Sequence, residues 1–324
     1  MTGKEPFIKV DNLKKYFSAR YGLLSRHIVK AVDNISFTIR KGETMGLVGE
    51  SGCGKSTAGR TIIRLYEPTD GKIYFDGIDI TNLKEKSLRP YRKRMQMIFQ
   101  DPYASLNGKM TVKDIVGEAL DIHNLSSSEN ERTEMIYKQL LQVGLLPKHA
   151  DRYPHEFSGG QRQRIGTART LAICPEFIVC DEPVSSLDVS IQAQVINLLE
   201  DLKEKLGLTY LFIAHDLSIV RYISDKVGVM YMGKLVEMAD SETIYKTPAH
   251  PYTNALLSAI PVSCSDKIGT DNRIILNGEI SGSANLASGC RFHPRCRYAS
   301  IRCVEEEPEM RQIGLEHYVA CNNL

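Results

Sequence analysis

The sequence predicts an α/β fold in which a parallel-sheet core is joined to antiparallel strands, a helical insertion and a C-terminal extension. Three observations predict it. A glycine-rich loop at residues 49–57 lies between a short apolar strand and a helix. The Asp76-Gly77 pair separates two strand-like runs, as in an antiparallel hairpin. The continuous apolar run at residues 177–180 is typical of a strand buried in a parallel sheet.

The elements follow from hydrophobic periodicity and from turn signals, taken in chain order. Residues 8–40 alternate as strands do. Strands are then predicted at residues 44–48, 72–75, 78–80, 95–99, 177–180, 209–214, 227–231 and 235–238. Helices are predicted at residues 55–65, 111–124, 129–143, 161–173, 189–206 and 253–260. The helices between residues 101 and 175 interrupt the strands and therefore indicate a helical insertion.

Composition limits the function classes. The 324 residues leave room for roughly two domains. The formal net charge is only +2, so nothing in the composition favours nucleic-acid binding. The first residues lack the apolar core of a signal peptide, and no apolar run approaches the ~20 residues that span a bilayer. We therefore expect a cytoplasmic protein, or one peripheral to a membrane protein.

The glycine-rich loop fits the phosphate-binding pattern G-x-x-x-x-G-K-[ST]. It comprises Gly49, Glu50, Ser51, Gly52, Cys53, Gly54, Lys55, Ser56 and Thr57. Backbone N–H groups of such a loop, together with the following helix N-terminus, form a concave anion site. Lys55 is expected to reach the β- and γ-phosphates, and the Ser56 hydroxyl to ligate Mg²⁺.

Asp181 and Glu182 close the apolar strand at residues 177–180. In an enzyme with a phosphate loop, this is where the first carboxylate holds Mg²⁺ through water. The second carboxylate can polarise the attacking water as a general base. We therefore expect hydrolytic chemistry at this pair.

A second anion site is predicted at the start of a helix, at Ser158, Gly159, Gly160 and Gln161. Ser158 can cap the helix, and the glycines expose backbone N–H groups. One nucleotide does not need two phosphate cradles from one chain. We therefore expect a dimer in which this segment closes on the γ-phosphate held by the other subunit.

Taken in order, these motifs resemble the ATP-binding subunit of an ABC transporter. The resemblance covers about residues 8–240 and includes Gln100, residues 186–188 and His215. It implies a RecA-like core at about residues 1–100 and 176–248, with an antiparallel β subdomain and a helical subdomain at about 101–175. Residues 1–248 then form the nucleotide-binding domain, and residues 249–324 form the extension.

The same resemblance assigns further roles. Gln100 senses Mg²⁺ and couples to the membrane subunits, Asp188 lies across the dimer seam, and His215 contacts the γ-phosphate and positions the water. Mg²⁺ is then held through Ser56, Gln100 and Asp181. Adenine stacks on an aromatic side chain, for which Phe17 aligns best and Tyr16 is the alternative.

Three local segments are similar to the oligopeptide/dipeptide importer subfamily. They lie at residues 100–107, 250–261 and 289–296, while residues 64–68 favour the "F" type of its two ATPase subunits. The implied function is ATP hydrolysis that powers peptide import at the cytoplasmic face of the membrane. The implied partners are a second, non-identical ATPase subunit, two transmembrane permeases and an extracytoplasmic solute-binding protein. A nickel or other small-solute importer is the alternative, and a soluble ABC ATPase of DNA repair or translation is a more distant one.

Cys290, Cys296, Cys303 and Cys321 crowd the last quarter of the chain. Their spacing matches neither common zinc sites nor ferredoxins. Arginines surround them, and nearby cations lower a thiol pKa and would offset the charge of a thiolate-bound cluster. The subfamily resemblance implies that these four residues ligate a [4Fe-4S] cluster; reduced thiols and zinc remain alternatives. Cys264 is set apart, because its Ser-rich surroundings indicate a loop.

Overall fold

The computed structural model describes residues 5–21, 25–260, 274, 276 and 287–324. Cys264 and most of the Gly/Ser-rich segment that follows residue 260 lie outside the described residues. The chain divides into two compact units, one formed by residues 1–81 and 214–324 and the other by residues 82–213.

The first unit is built from two separate stretches of the chain, residues 1–81 and 214–324. Its strands are β1 (Ile8–Tyr21), β2 (Ser25–Ile39), β3 (Thr44–Val48), β4 (Asp70–Phe75) and β5 (Ile78–Asp79), and, after the second unit, β9 (Lys226–Tyr231), β10 (Lys234–Asp240), β11 (Arg311–Gly314) and β12 (His317–Val319). Its helices are α1 (Lys55–Ile62), α8 (Leu217–Ile223), α9 (Ser241–Lys246), α10 (Pro251–Ser258) and α11 (Ile301–Glu305).

The second unit has three strands and six helices among the described elements. The strands are β6 (Met95–Ile98), β7 (Phe177–Asp181) and β8 (Thr209–Ile213). The helices are α2 (Glu85–Arg94), α3 (Pro102–Ser105), α4 (Val112–Ile122), α5 (Glu129–Gln142), α6 (Gly159–Leu171) and α7 (Val189–Leu206).

Strand pairing in the first unit is mostly antiparallel. One sheet has the order β2-β1-β4-β5, and β1 pairs antiparallel with both β2 and β4. In the other sheet, β11, β12, β10, β9 and β3 follow one another, and β3 pairs in parallel with β9. All five residues of β3 are buried. The phosphate loop therefore follows directly after a fully buried strand.

The second unit pairs β8, β7 and β6 in parallel. All five residues of β7 are buried, as the continuous apolar run predicts. Helices α4, α5 and α6 form the predicted helical insertion, and α7 has the predicted bounds of residues 189–206. Leu199 and Leu202 of α7 are buried, as their helical spacing requires.

Some elements differ from the prediction. The sequence pattern does not predict helices α2 and α8, because Pro90 lies within α2 and α8 is short. The pattern does not predict the hairpin of β11 and β12 either, because all four residues of β11 are exposed. The C-terminal extension belongs to the same compact unit as the phosphate loop. A domain division at residue 248, where the sequence pattern changes, stays a prediction.

Candidate functional site

The phosphate loop connects β3 to α1 in the first unit. Its backbone turns through glycines in the left-handed region, with φ of +76° at Gly52 and +109° at Gly54. A Cβ on Gly54 would also lie 2.0 Å from the carbonyl oxygen of Ala31. Only glycine tolerates both the conformation and this close approach. The loop therefore brings its amides to the N-terminus of α1, where an anion is favoured.

Lys55 is the first residue of α1, and it is only 4% exposed. Its Nζ donates to the carbonyl oxygens of Gly49, at 2.8 Å, and Glu50, at 3.0 Å. These contacts hold the Lys55 ammonium group against the first two residues of the phosphate loop. Ser56 and Thr57 follow in the first turn of α1 and are partly buried.

Two aromatic side chains of the first unit, Tyr16 and Phe17, are the candidates for stacking on adenine. The Tyr16 hydroxyl donates to the buried Asp33 carboxylate, and burial together with that bond raises the pKa of Tyr16. Phe17 remains 37% exposed, with its ring edge-on to Tyr66 at 5.6 Å. The Lys15 Nζ lies 4.9 Å from the centre of the Phe17 ring. Phe17 is therefore the ring with an accessible surface.

Asp181 and Glu182 end β7 in the second unit, as the sequence predicts. The Asp181 side chain is fully buried, and its backbone pairs with Ile213 of β8. Glu182 has a φ of +44°, a conformation that is uncommon for a residue with a Cβ. Gln100 Nε2 donates to Glu182 Oε2 at 2.8 Å. The structure thus joins Gln100 and Glu182, 82 positions apart in sequence.

The segment Ser158–Gln161 starts α6 with a capping box. The Ser158 hydroxyl accepts from the Gln161 amide at 3.4 Å, and the Ser158 amide donates to Gln161 Oε1 at 3.1 Å. A Cβ on Gly160 would lie 2.4 Å from Cγ2 of Ile191, and one on Gly159 would lie 3.2 Å from Leu187. The two glycines therefore let the start of α6 approach residues 187–191, which include the exposed Asp188.

His215 lies in the first unit, at the start of its second stretch of chain, and is exposed. The next residue, Asp216, caps α8 by accepting from the amide of Ser218 at 2.7 Å. His215 thus stands in a short connection whose end is held by a helix cap.

The four cysteines of the extension lie near one another. Cys290 and Cys303 are joined by a backbone hydrogen bond of 2.8 Å, and Asn323 accepts from the Cys303 thiol. Burial, with the charges of the other three thiolates, raises the pKa of Cys290 to about 11. Burial also raises the pKa of Cys296 and of Cys321.

The pKa values of Cys290, Cys296 and Cys321 are thus raised overall, against the expectation that nearby arginines lower them. Arg297 does lower the pKa of Cys296, but burial outweighs it, and Arg291 and Arg295 form ion pairs with Asp33 and Glu50. Across the described part of the chain, no group of three or more His, Cys, Asp or Glu side chains is arranged to hold a metal ion. As placed, the cysteines do not present a cluster site. None of the seven described cysteines forms a disulfide.

Tyr252 and Arg295 contact the phosphate loop, and the sequence alone does not predict either contact. The Tyr252 hydroxyl accepts from the Glu50 amide at 2.9 Å, and Arg295 donates to both oxygens of the Glu50 carboxylate. Both residues lie in segments that resemble the oligopeptide/dipeptide importer subfamily, at residues 250–261 and 289–296. Their separation from Glu50 by 202 and 245 positions left no local signal of the contact.

The buried strand, the left-handed glycines and the lysine at the start of α1 define a nucleotide-binding protein of the phosphate-loop class. Comparison with known proteins narrows this class. The family model for "ABC transporter" matches residues 32–185, and that for "Oligopeptide/dipeptide transporter, C-terminal region" matches residues 236–303.

Two relatives from Bacillus subtilis (strain 168) resemble the chain along most of their length. The oligopeptide transport ATP-binding protein AppF is 55% identical over 322 residues, which are 98% of each chain. The oligopeptide transport ATP-binding protein OppF is 59% identical over 263 residues, 81% of this chain and 85% of OppF.

A solved structure agrees with these matches. The ATP-binding cassette MJ0796, a dimer in a post-hydrolysis state bound to ADP and phosphate, is 28% identical, with a TM-score of 0.65. The match covers 72% of this chain and 98% of MJ0796. The chain belongs to the ABC transporter ATP-binding proteins, in the family of the oligopeptide transport ATP-binding proteins. No helix in the part of the chain that the structure describes is long and apolar enough to cross a membrane.

Proposed function

We propose that the chain is the ATP-hydrolysing subunit that powers import of oligopeptides or dipeptides through an ABC transporter. One observation carries the proposal. A phosphate loop and a C-terminal region of the oligopeptide/dipeptide transporter type occur in one chain, and AppF matches that chain over 98% of both lengths. The family membership supplies the ATPase class, and the type of extension supports the peptide substrate.

Residues 49–57 bind the triphosphate in this proposal. The loop amides and the N-terminus of α1 receive the phosphate oxygens, and Lys55 exchanges its contacts with Gly49 and Glu50 for the β- and γ-phosphates. Phe17, which is 37% exposed, is the aromatic side chain proposed to stack on adenine. The donor set suits Mg²⁺, because Ser56, Gln100 and Asp181 offer hydroxyl, amide and carboxylate oxygens, the hard ligands this ion prefers.

Glu182 is the proposed general base. It accepts a proton from the water that attacks the γ-phosphate, and the hydrogen bond from Gln100 holds one of its oxygens in place. Asp181 would help to hold Mg²⁺, and His215 would contact the γ-phosphate and position the attacking water. The positive φ of Glu182 supports this assignment, because strained backbone concentrates at functional sites.

Closure requires a second subunit in this proposal. Ser158, Gly159, Gly160 and Gln161 form a capped helix N-terminus that can receive a γ-phosphate held by another protomer. Asp188 is exposed beside this segment and would lie at the seam. The dimeric state of MJ0796 supports the same arrangement. The subfamily resemblance implies that the partner is a second, non-identical ATPase subunit.

The remaining partners follow from the transporter class. Two transmembrane permease subunits receive the movement through residues 100–120, and an extracytoplasmic solute-binding protein delivers the peptide. The chain then sits on the cytoplasmic face of the membrane as a peripheral subunit. Residues 1–248 serve as the nucleotide-binding domain, with residues 101–175 as its helical subdomain, and residues 249–324 as the extension.

The [4Fe-4S] cluster stays a prediction of the family resemblance. The proximity of Cys290, Cys296, Cys303 and Cys321 supports it, whereas burial raises the pKa values of Cys290, Cys296 and Cys321 and so favours protonated thiols at those three positions. Iron and labile-sulfide analysis of anaerobically purified protein tests it. Absence of iron, or iron retained after replacement of all four cysteines, would contradict the cluster.

Assay of the reconstituted complex tests the proposed function. ATPase activity should rise with peptides from a panel and not with nickel ions, which would instead support the small-solute alternative. Pull-down from solubilised membranes should recover integral membrane proteins. Recovery with ribosomes or DNA instead would overturn the transporter assignment in favour of a soluble ABC ATPase.

A further inference from the structure

An ion pair joins the C-terminal extension to the phosphate loop. Arg295 donates through both terminal nitrogens to the carboxylate of Glu50, at 2.7 Å and 3.0 Å. Glu50 is the second residue of the loop. The side chains of Arg295 and Glu50 are 8% and 22% exposed, respectively. This two-point geometry is the strong form of a carboxylate contact, and partial burial limits its screening by solvent.

The extension holds Arg295 rigidly. The Arg295 amide donates to the carbonyl oxygen of Phe292 at 3.0 Å. The Phe292 ring is 2% exposed and packs against the rings of Tyr231 and Tyr252, at 5.2 Å and 5.3 Å. The hydrogen bond with Glu50 raises the pKa of Arg295, so the guanidinium stays charged. A buried aromatic cluster therefore fixes the point from which the arginine reaches the loop.

Both ends of Glu50 are held from outside the loop. While Arg295 binds its carboxylate, the Glu50 amide donates to the Tyr252 hydroxyl at 2.9 Å. A second arginine of the same turn, Arg291, donates to Asp33 and to the carbonyl oxygen of Met232. The phosphate loop itself is thus one of the places at which the extension is anchored to this unit.

The ion pair between Arg295 and Glu50 affects nucleotide binding through the negative charge of Glu50. A carboxylate within the loop repels the phosphate oxygens that the loop must receive. Arg295 compensates that charge and holds the carboxylate to the side of the extension. If Arg295 were lost, Glu50 would be a half-buried anion without its compensating cation, and its side chain could turn toward the phosphates.

We propose that Arg295 is a positioning residue for the phosphate loop, and that through Glu50 the C-terminal extension sets the loop's affinity for ATP. This inference rests on the proposed function, because it takes the loop to bind ATP. It assigns the extension a part in nucleotide binding, in addition to any part in recognising a transporter.

A double-variant comparison tests it in the full chain. Binding of a fluorescent ATP analogue with Mg²⁺ is measured for wild type, Arg295→Met, Glu50→Gln and the double variant. Arg295→Met should raise the Kd about five- to tenfold, as expected for loss of a two-point charged contact. Glu50→Gln supplies its own reference Kd, and the double variant should match that Kd, because no charge is left for Arg295 to compensate.

If Glu50→Gln abolishes the effect of Arg295→Met on the Kd, Arg295 acts through the charge of Glu50 and does not merely support the structure. If Arg295 only anchored the extension, the double variant would bind more weakly than Glu50→Gln, by the same factor that separates Arg295→Met from wild type, and this would overturn the inference. An unchanged Kd for Arg295→Met would overturn it as well. Arg297→Met is the matched control, since Arg297 is exposed in the same segment, and its Kd should equal that of wild type.

Two further measurements keep the result interpretable. Unfolding midpoints without nucleotide show whether each variant is folded. If Arg295→Met is not, Arg295→Lys replaces it, with a Kd raised about twofold because lysine lacks the planar fork; a Kd equal to wild type would then overturn the inference. Failure of wild type to bind the analogue, or binding unaffected by Lys55→Ala, would contradict the proposed function itself.

Discussion

At the scale of single residues, Glu182 combines a left-handed backbone with a directed hydrogen bond. Its φ of +44° costs conformational energy, and Gln100 fixes one of its carboxylate oxygens at 2.8 Å. A backbone of this kind persists only where the surroundings over-determine it. Here the Glu182 amide is held by the carbonyl oxygen of Ile213 at 2.9 Å, which fixes the turn after β7. The carboxylate is therefore presented in one orientation.

Replacement of Glu182 by glutamine should leave ATP binding intact and slow hydrolysis by about 10²-fold or more, because the amide cannot take the proton from water. The same side-chain volume keeps the contact with Gln100 available. Binding of a fluorescent ATP analogue and steady-state phosphate release give the two quantities. Unchanged turnover would rule out the base assignment.

Substitution of Phe17 by alanine should raise the Kd for ATP about fivefold or more, since stacking of a base on an aromatic ring is worth ~1–3 kcal/mol. Tyr16→Phe is the comparison. It removes the hydroxyl that donates to Asp33, and should cost about 1 kcal/mol of stability with little change in ATP affinity. Weaker binding in Tyr16→Phe but not in Phe17→Ala would reverse the assignment of the adenine site.

At the scale of elements, α6 shows how local signals and close packing combine. Its start is set by the capping box of Ser158 and Gln161, a pattern that can be predicted from sequence. The reason for its glycines is tertiary, because Gly160 faces Ile191 of α7 at a distance that excludes a Cβ. A glycine at a helix start would otherwise cost stability.

Two glycines of α6 should respond in opposite directions to replacement by alanine. Gly160→Ala places a methyl group 2.4 Å from Ile191 Cγ2 and should destabilise the protein by about 1–3 kcal/mol. Gly166→Ala meets nothing within 4 Å and should stabilise it by about 0.5–1 kcal/mol through its helix propensity. Urea unfolding measures both, and a loss of equal size in the two variants would contradict the packing argument.

At the scale of the whole chain, the extension is part of the unit that carries the phosphate loop. A buried carboxylate, Glu237 of β10, organises this attachment. It accepts from the amides of Ala249 and His250 at 2.8 Å and 2.9 Å, and it pairs with His317 Nε2 of β12 at 2.8 Å. The Glu237 side chain is fully buried. One residue thus ties α10 and the C-terminal hairpin to the same strand.

Truncation of Glu237 to alanine should cost about 3 kcal/mol or more, because it leaves two backbone donors and an imidazole buried without their acceptor. The control is Glu242→Ala, which removes a carboxylate from an exposed i,i+4 pair with Lys246. That change should leave the free energy of unfolding close to that of wild type, because solvent screens an exposed ion pair. Chemical denaturation gives both values, and similar losses for the two variants would show that Glu237 does not anchor the extension.

The features that sequence alone predicts are those encoded over a few neighbouring residues. The phosphate loop, the Asp181-Glu182 pair, the cap at Ser158 and the bounds of α7 each depend on local spacing, and the structure has each of these segments in the predicted local form. The family resemblance rests on the same short motifs and their order along the chain. The elements that were missed, such as β11, carry no such pattern because they are short and exposed.

Contacts between distant positions were decided by the tertiary structure alone. Arginines beside cysteines indicate lowered thiol pKa values only if their charge stays near the thiols. Once folded, Arg291 and Arg295 bind carboxylates instead, and burial becomes the dominant effect on Cys290. Glu50 and Arg295 lie 245 positions apart, and a local pattern cannot specify which cation meets which anion across that separation. The phosphate loop can therefore be predicted from the sequence, whereas its contact with the C-terminal extension is formed only in the folded chain.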